Sequence, residues 1–253
     1  MNVIQALLLG VIYYLGNSSL IAGPVGYYTV YRPLVAGFLS GLVLGDPVTG
    51  TIVGATINLM YIGFISAGGA LPGDPCLAGV LGAALAITAK LSTNAALAIA
   101  VPIGLIGTLI WFGRMTFDTI FAHMADKYAE DGKTNKVWIA SVLLPQGMLF
   151  LITMIPCFLA AYFGAGYIQG AINFLGEKVL NILIIIGGMM PALGIALNLK
   201  AIYKGEAKIF FFIGFLITAY FKSVTMIAIG ALALCVAIVY MQLKDKIGGA
   251  ANE

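Results

Sequence analysis

Apolar residues are not spread evenly along this chain. Long hydrophobic stretches cover residues 95–113, 137–163, 180–199, 209–221 and 223–241. At 1.5 Å per residue these are long enough, or nearly so, to cross a hydrocarbon core of about 30 Å. The runs before them, 2–15, 34–45, 47–65 and 76–89, are short or interrupted by glycine. Apolar segments of about 10–14 residues are more often re-entrant or broken than simple spans. The pattern predicts an all-α integral membrane protein. It should form a helical bundle of about seven to nine membrane segments, with broken and re-entrant helices in the N-terminal third. No composition shift marks a second domain, so residues 1–253 read as one membrane-embedded domain. Within it, interrupted segments fill 1–94, longer transmembrane helices fill 95–243, and a polar loop spans 114–136.

Composition removes the alternatives. The chain is 61% hydrophobic and 9% charged, with mean hydropathy +1.04. A soluble domain carries about 25% charged residues, so a soluble fold of this size could not cover its surface. The net charge of +3 is too small and too scattered to argue for nucleic acid. Cys76, Cys157 and Cys235 are widely spaced in apolar runs. They read as small buried hydrophobes, neither a disulfide frame nor a metal site. The N-terminal stretch MNVIQALLLGVIYYLG has no basic leader and no clean small-residue cleavage site, so it reads as a retained segment.

Charge placement gives sidedness. Arg114, Lys127, Lys133 and Lys136 lie in the 114–136 stretch, then Lys200, Lys204 and Lys208, then Lys244 and Lys246. Two spans separate each cluster from the next, so all three fall on one side. The positive-inside rule makes that side, and the C-terminus, cytoplasmic. Trp111 and Trp138 bracket the polar stretch as membrane-interface anchors. His123 lies in the same stretch. Nothing near it in sequence would activate or orient it as a phosphoryl acceptor.

Candidate chemistry sits in the interrupted third. Gly-Asp-Pro occurs at 45–47 and 73–75, each time ahead of an apolar run. Asp at an N-cap with Pro at the first helical position is a strong helix start. Asp46 is read as such a cap. Asp74 follows the glycine-rich break SAGGALPG, and irregular backbone at membrane depth belongs beside a cavity or buried in protein. A carboxylate there marks a site, because a charge at that depth costs about 2.5–3.5 kcal/mol on insertion scales. It can cap its helix and still offer an oxygen to a ligand. Gly50, Gly54 and Asn58 recur every fourth residue and share a helix face, as do Gly37, Gly41 and Gly45. Gly50-x-x-x-Gly54 permits close helix contact, and Asn58 either bridges helices or faces a ligand. Pro145-Gln146 interrupts a long apolar run and brings an amide into the membrane. GGMMPALGIALNLK at 187–200 repeats the combination of paired glycines, a proline and an asparagine. Amides and hydroxyls with few charges suit a neutral polyhydroxylated ligand. The alternative, an ion-coupled secondary transporter, would call for more buried ionisable groups.

These residues resemble the IIC subunit of the mannose-fructose-sorbose family of the bacterial sugar phosphotransferase system. The resemblance rests on YRPLVAGFLSGLVLGDPVTGTIVGATINLMYIGF, SAGGALPGD, ADKYAEDG, IIIGGMMPALGIAL and FIGFLITAYF, in that order. It implies an inner-membrane sugar permease that pairs with a IID membrane subunit, the pairs assembling as trimers. IIA and IIB components would carry the phosphoryl group, and an elevator-like movement would carry the sugar. This chain itself would need no cofactor, metal or catalytic residue. Carried over by position, the substrate contacts are Asp74, Asn58, Ser66, Gly68, Gly69 and Gln146. Many family members have glutamate in place of Asn58 and asparagine in place of Ser66. Those departures point away from mannose or glucose, toward another hexose, an amino sugar or an N-acetylated sugar.

Overall fold

A computed structural model describes residues 1–18, 26–61, 73–203, 207–221 and 225–250. Every regular element among them is helical: α1 (Val3–Asn17), α2 (Pro33–Leu44), α3 (Pro47–Met60), α4 (Pro75–Thr88), α5 (Thr93–Glu130), α6 (Thr134–Trp138), α7 (Leu144–Ile202), α8 (Ala207–Tyr220) and α9 (Met226–Ala250). Single π-helical turns lie at Gly26–Val30 and Ile139–Leu143.

The short helices start and stop where the local chemistry dictates. Pro33, Pro47 and Pro75 each open a helix, where the missing proline N–H leaves no bond unmade. Asp46 Oδ1 accepts from Thr49 N at 3.0 Å, and Asp74 Oδ1 accepts from Leu77 N at 2.9 Å. Both Gly-Asp-Pro copies are therefore capped helix starts. The Thr49 hydrogen bonds hold the Asp46 carboxyl below the usual carboxylate range. Its capping is thus in place above that range and is lost only as pH falls through the lowered value. Gly45 ends α2 in the left-handed region (φ 86°), which glycine enters without strain. The result is a tight α2–α3 hairpin.

Glycine lets that hairpin close. A Cβ on Gly50 would stand 2.5 Å from the Gly37 carbonyl oxygen and 2.7 Å from Gly41 Cα; one on Gly54 would stand 2.6 Å from the Pro33 carbonyl oxygen. The two every-fourth-residue stripes therefore face each other, backbone against backbone. Behind them, α4 is buried on all sides from Pro75 to Ala86, the mark of a central helix. Outward faces are as apolar as the core, with Ile4, Leu8, Phe38, Leu42, Ile52, Leu105 and Leu109 all exposed. That surface suits lipid rather than water.

Thr93–Glu130 and Thr134–Gly164 are the two segments, among the described residues, long and apolar enough to cross a bilayer. The polar stretch at 114–136 is not an open loop. α5 runs through it to Glu130 as one helix of 38 residues, because nothing before Gly132 breaks helical geometry. Pro145 does not split its helix either. The chain takes the π-helical turn Ile139–Leu143 just before it, which accommodates a residue that lacks the N–H and crowds the carbonyl behind it. Residues 187–200 are helical throughout, and α7 departs from helical geometry only at Gly176 (φ 71°).

By packing, the chain divides into Met1–Leu197 and Asn198–Glu253. In the second unit α8 and α9 meet through Phe210 and Tyr240, with ring centroids 5.2 Å apart. Cys76 and Cys157 are free and buried, as the sequence suggests, but Cys235 is exposed. It lies on a helix where Ile227, Leu232, Leu234 and Ile238 are exposed as well.

Candidate functional site

Asp74 is the one carboxylate buried among the described residues, at 2% exposure. Its cap bond to Leu77 uses one oxygen, and the other accepts the Tyr13 hydroxyl at 2.5 Å. Its backbone N–H donates to the Gly104 carbonyl at 2.8 Å. Glycines on α5 make this seat. A Cβ on Gly107 would run into Asp74 Cβ, and one on Gly104 into the Tyr61 hydroxyl. The carboxylate is thus a junction between α1, α4 and α5. An ionised carboxylate offers about four acceptor positions, so two hydrogen bonds do not exhaust it.

Gln146, at the start of α7, is half-buried. Its Oε1 accepts from Ser18 Oγ at 2.8 Å and from the Tyr14 hydroxyl at 3.2 Å. The last turn of α1 therefore holds both polar residues: Tyr13 reaches Asp74, and Tyr14 with Ser18 reaches Gln146. Arg114 fixes that end of α1, donating from Nη1 to the Asn17 carbonyl at 3.2 Å. Its guanidinium stacks over Trp111 at 5.6 Å from the ring centroid and pairs with Asp118 at 3.3 Å. Gly107, against Asp74, lies two turns before Arg114, about 10 Å along the helix. Gln146 lies just over two turns after Trp138, about 12 Å. Gly107 is only about 6 Å along the helix from Trp111, so what Asp74 and Gln146 share is the end of α1 rather than a common depth.

Asn58 is half-buried and belongs to a different surface. It lines a cleft of about 420 Å³ with Tyr28, Thr29, Arg32, Leu34 and Val35. Ser66, Gly68 and Gly69 lie outside the described residues. Sequence reasoning passed over Tyr13, Tyr14, Ser18, Tyr61 and Arg32. The signal for the tyrosines was a hydroxyl-bearing aromatic pair at the end of a short apolar helix. A Tyr hydroxyl buried at such a place needs a polar partner. His123 is exposed, and no cluster of metal-binding side chains occurs among the described residues.

An all-helical chain with an apolar outer surface, and with a buried carboxylate and an amide tied to the same helix end, has the make-up of a membrane transport subunit. A family model described as "PTS system sorbose-specific iic component" matches residues 3–239. The mannose-specific EIIC component of the phosphotransferase system of Escherichia coli (strain K12) is 33% identical over 221 residues, covering 87% of this chain and 82% of that protein. Two solved structures resemble the fold at 28% identity. One, described as a membrane protein, has a TM-score of 0.77 and covers 98% of this chain and 99% of its own. The other, the mannose transporter ManYZ in complex with microcin E492, has a TM-score of 0.59 and covers 96% of each. The chain belongs to the IIC family of the mannose-fructose-sorbose type, the sugar-translocating membrane subunits of the bacterial phosphotransferase system.

Proposed function

We propose that this subunit binds a hexose or an amino sugar within the bilayer and presents it for phosphorylation at the cytoplasmic face, performing no covalent chemistry itself. The observation that carries this reading is that Asp74 and Gln146 are both gripped by the end of α1. Asp74 accepts hydrogen bonds from sugar hydroxyls, while Ser66 and Gln146 set orientation; Asn58 lines a separate cleft and is assigned to the sugar by its position in the family alone. Gly68 and Gly69 let the backbone approach the ring. Phosphorylation prevents the sugar's return, because a charged sugar phosphate is too costly to carry back across the bilayer. The chain works as one domain of about seven to nine membrane segments, re-entrant in its N-terminal third, in the bacterial inner membrane. Its C-terminus and the 114–136 stretch are cytoplasmic. Its partners are a IID membrane subunit, with the pairs assembling as trimers, and IIA and IIB phosphoryl carriers. The complex with which the chain shares its fold, the ManYZ mannose transporter, supports the paired arrangement.

The test is uptake into vesicles holding this chain and its companion subunit, over a panel of hexoses and amino sugars. Sugar phosphate should accumulate only when the phosphoenolpyruvate-driven carriers are present. Free sugar accumulating without them, along an ion gradient, would sink the reading. In the same assay Asp74→Asn, which keeps a helix cap, should lower apparent sugar affinity about tenfold. That is the low end for losing a charged hydrogen-bond partner worth 1.5–3 kcal/mol.

A further inference from the structure

Arg32 is a charged side chain with no part in the Asp74–Gln146 site described above. It is exposed and precedes the first residue of α2; its backbone bonds to Thr29, Val35 and Ala36, but its guanidinium makes no hydrogen bond or ion pair among the described residues. Its neighbour Pro33 packs on both other helices of the central layer. A Cβ on Gly54 would stand 2.6 Å from the Pro33 carbonyl oxygen, and one on Gly79 2.6 Å from Pro33 Cα. Gly79 lies about 7 Å further along α4 than Asp74, away from the Trp111–Arg114 boundary. Asp74 itself lies about 10 Å from that boundary. Arg32 is therefore near mid-depth in a core of about 30 Å. An arginine at that depth is costly unless it faces protein or a watered cavity, and it marks a functional site whose partner must be found.

The cleft at that place gives the partner's chemistry. Arg32 shares it with Tyr28, Thr29, Leu34, Val35 and Asn58, in a volume of about 420 Å³. That lies within the range of small-molecule sites. Among the described residues no carboxylate lines it. A guanidinium offers five donors and no acceptor, and its fork matches carboxylate or phosphate oxygens in pairs. Next to Arg32 in the chain, Tyr31 is 5% exposed and belongs to the core rather than to the cleft lining. Tyr31 follows the π-helical turn Gly26–Val30, and such turns occur often at functional sites.

We propose that Arg32 binds an oxyanion carried on the sugar, with Asn58 holding the adjacent hydroxyls. The oxyanion has two possible sources: the phosphoryl group of the product, or the carboxylate of a sugar acid taken as substrate. The inference rests on the sugar-site reading of Asn58. Arg32 positions this group. The transfer itself breaks the P–N bond of a carrier phosphohistidine and forms the P–O bond to the sugar, whose hydroxyl proton passes to the histidine nitrogen that the phosphoryl group leaves.

The experiment is calorimetric titration of the complex of this chain with its companion subunit, in lipid nanodiscs. The probes are mannose, fructose and glucosamine, their 6-phosphates, and mannuronate. Arg32→Gln should cut the affinity ratio of anionic probe to neutral parent by tenfold or more. Arg32→Lys, which keeps the charge without the fork, should recover part of that ratio. A loss confined to the phosphate esters assigns the cleft to the product; a loss confined to mannuronate assigns it to an acidic substrate. A ratio unchanged in Arg32→Gln overturns this inference while leaving the sugar reading intact. Wild-type protein that binds none of the probes overturns both.

Discussion

Gly50→Val is expected to destabilise the protein by about 3 kcal/mol or more, enough to prevent its accumulation in a folded form. The reason is what the new side chain meets. Its Cβ would lie 2.5 Å from the Gly37 carbonyl oxygen, 2.7 Å from Gly41 Cα and 3.0 Å from Gly41 N. None of these is the end of a flexible side chain. Relief requires α2 and α3 to separate along their length, and the same displacement would lift Pro33 off Gly54 and Gly79. Gly45→Ala is the control. No atom lies within 4 Å of its added Cβ, so only the left-handed backbone (φ 86°) is strained, at about 1–2 kcal/mol. Thermal unfolding in detergent, followed by loss of the monodisperse peak on gel filtration, checks both. A Gly50→Val protein that melts within a few degrees of wild type would show that the hairpin is not held by backbone contact.

The glycine stripes also show what a sequence makes legible. Gly37, Gly41, Gly50 and Gly54 announce a close helix pair by spacing alone, and Gly-Asp-Pro announces two capped starts. Both are local rules. The partner of Asp74 is not local: Tyr13 lies 61 residues before it, and no spacing rule joins a tyrosine on one helix to a carboxylate on another. The same holds for Gln146, whose Tyr14 and Ser18 partners come from the far end of the unit. Arg32 was invisible for a different reason. It stands at the edge of an apolar run, where an arginine reads as an interface anchor, and only the packing of Pro33 on Gly79 places it at depth. The helix through 114–130 was hidden by its charges, which mark water but do not break a helix. Ser66, Gly68 and Gly69 remain predictions from resemblance, outside the described residues.

Removing the Asp74 side chain should be the most damaging change at the site. Asp74→Ala loses the cap of α4, worth about 1 kcal/mol. It also leaves the Tyr13 hydroxyl, wholly buried, without an acceptor, for roughly 1–3 kcal/mol more. A loss of about 2–4 kcal/mol follows. Tyr13→Phe alone should cost about 1.5–3 kcal/mol, because the carboxylate it leaves behind stays buried with one donor fewer. In the double variant the orphaned groups vanish together, so the two costs should fall short of additivity by at least 1 kcal/mol. Equilibrium unfolding of the four proteins measures that coupling, and strict additivity would mean that the 2.5 Å contact does not bear on stability. The cycle also decides how transport data are read. Because the carboxylate joins three helices, loss of uptake in Asp74→Ala could follow from a displaced α4 alone. Asp74→Asn keeps an oxygen for Leu77 N and gives up the charge and the Tyr13 acceptor, so Tyr13→Phe is its structural control. Uptake that falls in Asp74→Asn but survives in Tyr13→Phe assigns the remaining acceptor positions of the carboxylate to the sugar. Uptake that falls equally in both returns Asp74 to the role of a helix junction.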